Sequence, residues 1–160
     1  MHDSSPDHLR SLGLLPLGSR FRRLGERLQT ETQAILDTLD PRVASAWHPI
    51  LNLIDHSGPS TIGEIAAALG VTQPGITRSV AGLVRAGILR TDPDPDDGRI
   101  RRAALTDEGR ALVDRAKAEV WPAVEHAVRD LCDGFADDLL DHLTRIEERL
   151  AETPLKDRTG

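Results

Sequence analysis

Tyrosine is absent from this 160-residue chain, and phenylalanine and tryptophan occur twice each. A platform that stacks single-stranded bases needs several exposed aromatics, so that function class drops out. The core has to be built instead from Leu, Ile, Val and Ala. The lone cysteine, Cys132, excludes an intramolecular disulfide and a multi-cysteine zinc site, and suits a reducing cytoplasm. No apolar run approaches the roughly 20 residues that cross a bilayer. The opening MHDSSPDHLRSLGLLPLG lacks a basic start and a sustained apolar stretch, so it does not read as a secretory signal. The six histidines show no ligand spacing. The expectation is a cytoplasmic protein without membrane, metal or cofactor.

What is present is ordinary in amount and uneven in place. Hydrophobic residues make up 39% and charged residues 29%, enough for one domain with a real core. The formal net charge of −6 looks wrong for a nucleic-acid binder. From Thr72 to Arg102, however, six Arg stand against four Asp, while from Asp107 to Glu152 six Lys/Arg stand against thirteen Asp/Glu. A basic patch on an acidic protein can still bind phosphate, because its field acts within a Debye length of about 8–10 Å.

Helical punctuation organises the chain. Phe21, Leu24, Leu28, Ile35 and Leu36 form an apolar stripe over 17–39. Asp40-Pro41 reads as an N-cap followed by Pro at the first helical position, opening a helix with Val43, Trp47, Ile50, Leu51 and Ile54 on one side. Gly58-Pro59 stops it. Thr61 and Glu64 form a capping box for a short helix that ends at Gly70. Thr72 is a good N-cap for the next helix, whose Ile76, Val80, Leu83 and Val84 form a buried stripe before Gly87. Two helices joined by so short a Gly-containing turn make a helix-turn-helix. The second presents Gln73, Thr77, Arg78 and Arg85 outward, a set that also fits a plain solvated face.

Two β-capable runs follow, Ile88–Thr91 and Arg99–Leu105, separated by aspartate, proline and glycine with turn chemistry. A hairpin beside a helix-turn-helix is a winged helix, so the fold class expected is mainly α with a small β-hairpin wing. Asp92, Asp94 and Asp96 imitate the first three ligands of a calcium loop, but its sixth position would be Asp97 rather than glycine and its twelfth Ala103 rather than Glu. The aspartates are expected to stiffen the turn and to hold the arginines through ion pairs. After the Thr106 cap the chain reads as helical to about Glu152, bent at Pro122 and broken near Asp133-Gly134. Phe135, Leu139, Leu143, Ile146 and Leu150 make a seam for another helix.

The stretch TIGEIAAALGVTQPGITRSVAGLVRAGILRTDPDPDDGRIRRAALTDEGRALV resembles the MarR family of bacterial transcriptional regulators. Ala66, Gly70 and Ile76 match its helix-turn-helix pattern, and Asp97, Arg99, Leu105 and Thr106 match its wing. The match covers roughly residues 60–113. Many members carry two arginines after the wing acid; Gly98 takes the first place here and Arg99 keeps the second. A narrower likeness, through RFRRLGERLQ and the DGR wing, is to the branch with a fused acetyltransferase domain, for which this chain has neither room nor an acyl-CoA loop.

The resemblance implies a single domain over 16–152, with a loose arm at 1–15, a tail at 153–160, a winged helix-turn-helix over about 41–106 and dimerisation helices over about 17–39 and 107–152. It implies a homodimer reading a pseudo-palindromic operator in double-stranded DNA, with the recognition helix 73–86 in the major groove and the wing 90–103 on the adjacent minor groove or backbone. It implies no catalysis. The alternative is a DNA-docking subunit for a separate acetyltransferase-type enzyme. Gln73, Thr77 and Arg78 would read bases. Thr61, Thr72, Pro74, Gly75 and Ser79 would sit against the backbone, with Arg99 and Arg101 as the wing contacts. Trp47, His48, Leu51 and Trp121 could line a pocket for a small-molecule effector, and each also fits simple core packing. Cys132 could sense oxidants, although Asp130 and Asp133 beside it oppose a thiolate.

Overall fold

A computed structural model describes residues 7–159, in two compact units divided between Trp121 and Pro122. Residues 1–6 of the expected arm lie outside the described residues. In the remainder of that arm, the Asp7 carboxylate accepts the Leu9 N–H at 3.2 Å and opens a single-turn helix, α1 (His8–Ser11). Arg23, in α2 (Leu17–Leu36), donates to the same carboxylate at 2.7 Å.

The helix expected to start at Asp40-Pro41 does not start there. Asp40 caps a turn instead, its carboxylate accepting the backbone N–H of Arg42 at 2.9 Å. A short 3-10 turn, Ser45–Trp47, comes next, and α3 spans His48–Ser57. The cause is Pro49. A helix running from 41 would place Pro49 in its interior, where it lacks a donor and its ring strikes the carbonyl four residues back. Starting at His48 puts Pro49 in the first turn, where no donor is needed.

The winged helix-turn-helix, the head of the molecule, follows the expected order. The strand β1 (Ser60–Thr61) leads into α4 (Ile62–Leu69), and both halves of the Thr61–Glu64 capping box are formed. Gly70 takes the left-handed conformation, at φ +64°, that ends α4. Then come α5 (Gln73–Arg85), β2 (Leu89–Pro93), β3 (Arg101–Leu105) and α6 (Asp107–Arg115). The sheet has three strands rather than the two of a bare hairpin, in the order β1-β3-β2, with Ser60 opposite Ala103 and Leu89 opposite Leu105. A two-residue strand carries no period-2 pattern, so β1 has no signal of its own. The core under this head is aliphatic: Ile50, Leu51, Ile65, Leu83, Ile88, Leu89 and Val113 are buried. Val84, expected in the stripe, is exposed, and Gly82 is buried in its place, beneath the Trp47 ring.

The helical run is irregular just before Pro122. Ala116–Val120 form a π-turn in which the Trp121 N–H bonds the Ala116 carbonyl, and α7 (Trp121–Leu131) carries Pro122 in its first turn. Gly134, at φ +77°, breaks the chain where expected, and α8 spans Ala136–Glu152. Neither α7 nor α8 buries a residue within the chain. A 3-10 turn, Leu155–Arg158, ends the described residues. No helix among them is long and apolar enough to cross a membrane.

Candidate nucleic-acid interface

α5 owes its outward face to its buried one. Ile76, Val80 and Leu83 anchor one side in the core, which turns Gln73, Pro74, Thr77 and Arg78 to solvent. These four positions share one helical face. The Thr77 hydroxyl donates to the Gln73 carbonyl at 2.9 Å, leaving its methyl as the free group. Gly75 and Ser79 are half-buried at the edge of the face. Thr72 occupies the N-cap position, but its side chain makes no capping bond, contrary to the expectation. With Pro74 in the first turn, one of the donors it could have served is missing. A Cβ on Gly75 would come within 3.3 Å of the Thr72 hydroxyl, so glycine keeps this turn tight. The Thr61 hydroxyl is occupied by the Glu64 N–H at 3.1 Å, so Thr61 acts first as a cap.

The three wing arginines have different fates. Arg101 folds back and donates to the Thr91 carbonyl at 2.8 Å. Arg102 turns inward to the carboxylates of Asp94 and Glu64. Arg99 sits at the exposed tip, and its guanidinium has no ion-pair partner among the described residues. The aspartates do shape the turn: the Asp94 carboxylate accepts the N–H groups of Asp96 (2.9 Å) and Asp97 (3.1 Å), and that of Asp97 accepts the Arg99 N–H at 3.0 Å. A Cβ on Gly98 would meet nothing within 4 Å, so the missing second arginine is not a steric matter.

Arg42 braces the C-terminal end of α5. It donates to the Ala86 carbonyl at 3.2 Å and to Glu108 at 2.6 Å, while Asp40 holds it from behind. These acceptors hold its guanidinium firmly in the charged form. Sequence reading missed this brace because its partners lie 44 and 66 residues away.

The four residues proposed for an effector pocket have different surroundings among the described residues. Leu51 is fully buried in the core. His48 is buried and accepts the Trp121 indole N–H at 3.0 Å through Nδ1, the rings meeting edge to face. Burial holds its pKa below the ordinary histidine value. Trp47 lines a groove of about 890 Å³, together with Leu28, Ile50, Val71, Ile76, Arg78 and Arg85. The groove therefore runs between α2 and the reading helix, sharing Arg78 with the candidate DNA face.

The MarR family model matches residues 41–100. The transcriptional regulator BldR from Sulfolobus solfataricus superposes with a TM-score of 0.66 at 25% identity, covering 84% of this chain and 94% of that one. A cysteine-to-serine mutant of MarR from E. coli, solved in complex with operator DNA, gives 0.71 at 21% identity, over 88% and 97% of the two chains. A MarR/EmrR family regulator from Acinetobacter sp. ADP1 gives 0.69 at 16% identity, over 86% and 96%. The second and third likenesses establish a shared fold. The chain therefore has a winged helix-turn-helix fold, and its residues 41–100, which span the helix-turn-helix and the first wing strand and stop just before β3, are similar to the MarR family.

Proposed function

We propose that the protein is a homodimeric, DNA-binding transcriptional regulator of the cytoplasm, with no catalytic activity, that sets α5 in the major groove and the wing on the adjacent minor groove or backbone. One observation carries this reading. Of the six arginines between Thr72 and Arg102, Arg90, Arg101 and Arg102 are hydrogen-bonded within the protein. The cations of Arg78, Arg85 and Arg99 are left exposed without such partners among the described residues, Arg78 on the outward face of α5, Arg85 at its last position and Arg99 on the wing tip. A protein-docking winged helix has no need of that placement, whereas a duplex presents guanine edges to Arg78 and phosphates to Arg99. A protein of the same fold was captured on operator DNA, which supports the reading.

The test is a salt-dependent gel shift on the region upstream of the protein's own gene and on random DNA. Arg78→Ala should cost about 1–3 kcal/mol on the specific site and relax preference at one base pair per half-site. Equal weakening on specific and random DNA would assign Arg78 to phosphates and defeat its reading role.

Effector control is a finer part of the same proposal. The groove beside Trp47 has the size of a small-molecule site, with apolar walls and two arginines. A small aromatic carboxylate should quench the fluorescence of Trp47, and Trp47→Phe should remove the saturable part of the signal. Quenching that survives in that variant would place the ligand elsewhere.

A further inference from the structure

We infer that Arg102 is a positioning residue, which locks the wing to the helix-turn-helix and so presents Arg99 to DNA; this rests on the DNA-binding reading above. The lock is a continuous chain of bonds. At one end, Glu64 closes the capping box of α4, its carboxylate accepting the Thr61 N–H at 2.8 Å. The same carboxylate accepts from Arg102 Nη1 at 2.9 Å, and the Pro59 carbonyl accepts from that nitrogen at 3.1 Å. Arg102 Nε then bonds the Asp94 carboxylate. The other Asp94 oxygen gathers the N–H groups of Asp96 and Asp97, and Asp97 in turn receives the N–H of Arg99. Sheet register puts Arg102 opposite Thr61, so the strand itself delivers the guanidinium to the capping box.

Two features argue against Arg102 as a DNA contact. Its side chain is half-buried at 30% exposure and its Nε is committed to the Asp94 carboxylate, which is only 8% exposed. One guanidinium between two carboxylates also leaves the cluster net negative, and reaching a phosphate would strand both acids. The bonds to Arg102 help hold both carboxyls below their ordinary range: for Asp94 this guanidinium is the main cause, and for Glu64 the Thr61 N–H is. Arg is required at this position because its fork reaches three acceptors at once, which a lysine ammonium on a single stem does not match.

The consequence is a wing tip ordered before DNA arrives. The contact Arg99 makes should then depend on Arg102, which touches no DNA. Two measurements decide this, on the full chain. The first is hydrogen exchange in the free protein. Arg102→Ala should speed exchange at the amides of Asp96, Asp97 and Arg99 while leaving the amides of α3 and α5 protected. Asp94→Asn keeps the turn acceptor, lacks the charge, and should loosen the same three amides. The second is the salt dependence of DNA affinity for the wild type, Arg99→Ala, Arg102→Ala and the double variant. Each single variant should lower the magnitude of the slope by about 1 per subunit, and the double variant should lower it no further. Asp94→Asn should weaken binding, although it removes a negative charge close to phosphate. Unchanged exchange at the three amides, additive losses in the double variant, or tighter binding by Asp94→Asn would each overturn the lock. If the wild type binds no DNA, the regulator reading fails and the exchange data alone decide whether Arg102 orders the wing.

Discussion

Gly109→Ala is expected to destabilise the protein by about 1–3 kcal/mol, as overpacking a closed core position does. Helix propensity taken alone has the opposite sign, since Ala is about 1 kcal/mol better than Gly inside a helix. Gly109 lies in the first turn of α6 and is buried. A Cβ there would stand 2.1 Å from the Ile88 carbonyl oxygen and 3.2 Å from a Leu105 methyl. That carbonyl cannot swing away cheaply, because the Thr106 N–H and hydroxyl both bond to it at 3.1 Å. Ile88 joins the reading helix to the wing, so the clash falls where the two functional elements meet. Urea unfolding should show a lower midpoint with an unchanged slope. A variant as stable as the wild type, or more so, would mean that the approach of Ile88 to α6 is looser than the structure has it.

Leu143→Asp should abolish the dimer and lower operator affinity on the order of 10²-fold or more, because two half-sites are then no longer read together. Leu139, Leu143, Ile146 and Leu150 follow helical spacing along α8, and Ile146 and Leu150 are 37% and 45% exposed within one chain. α7 and α8 bury no residue within that chain, and a helix without tertiary packing is marginal in water. Apolar stripes of this length call for a second surface, which in the proposed homodimer is a second copy of the chain. An aspartate in the seam would carry an unpaired charge into it. On a sizing column the variant should run as a monomer or aggregate. A soluble dimer with wild-type operator affinity would remove α8 from the interface and the proposal with it.

Much of the reading head was legible in the chain because its signals are short-ranged. The Thr61–Glu64 box spans three residues, the Gly58, Gly70 and Gly134 stops are single positions, and the aspartate turn of the wing closes within a few residues. Each is a bond between near neighbours, so residue type and spacing contain it. The start of α3 is also marked locally, by Pro49 rather than by Asp40-Pro41, since proline is tolerated only in the first turn. The exposed face of α5 followed from the spacing of Ile76, Val80 and Leu83, with Val84 as the one stripe position that turned outward.

Tertiary structure decided what the chemistry of each exposed or buried group would be. Arg99, Arg101 and Arg102 are the same residue type within four positions, and local sequence offered only the alternation of strand faces to separate them. Their separate roles come from Glu64, 38 residues before Arg102, and from a β1 strand too short to announce itself. Trp47 and His48 are adjacent, yet one lines the groove and the other is buried against Trp121, 73 residues away. The sequence by itself determined the helices, the turns and the kind of face each helix shows, because those depend on neighbours one to four residues apart. Which arginine is left without a partner, which glycine tolerates no methyl and which aromatic lines the groove depend on groups that meet only once distant segments have packed.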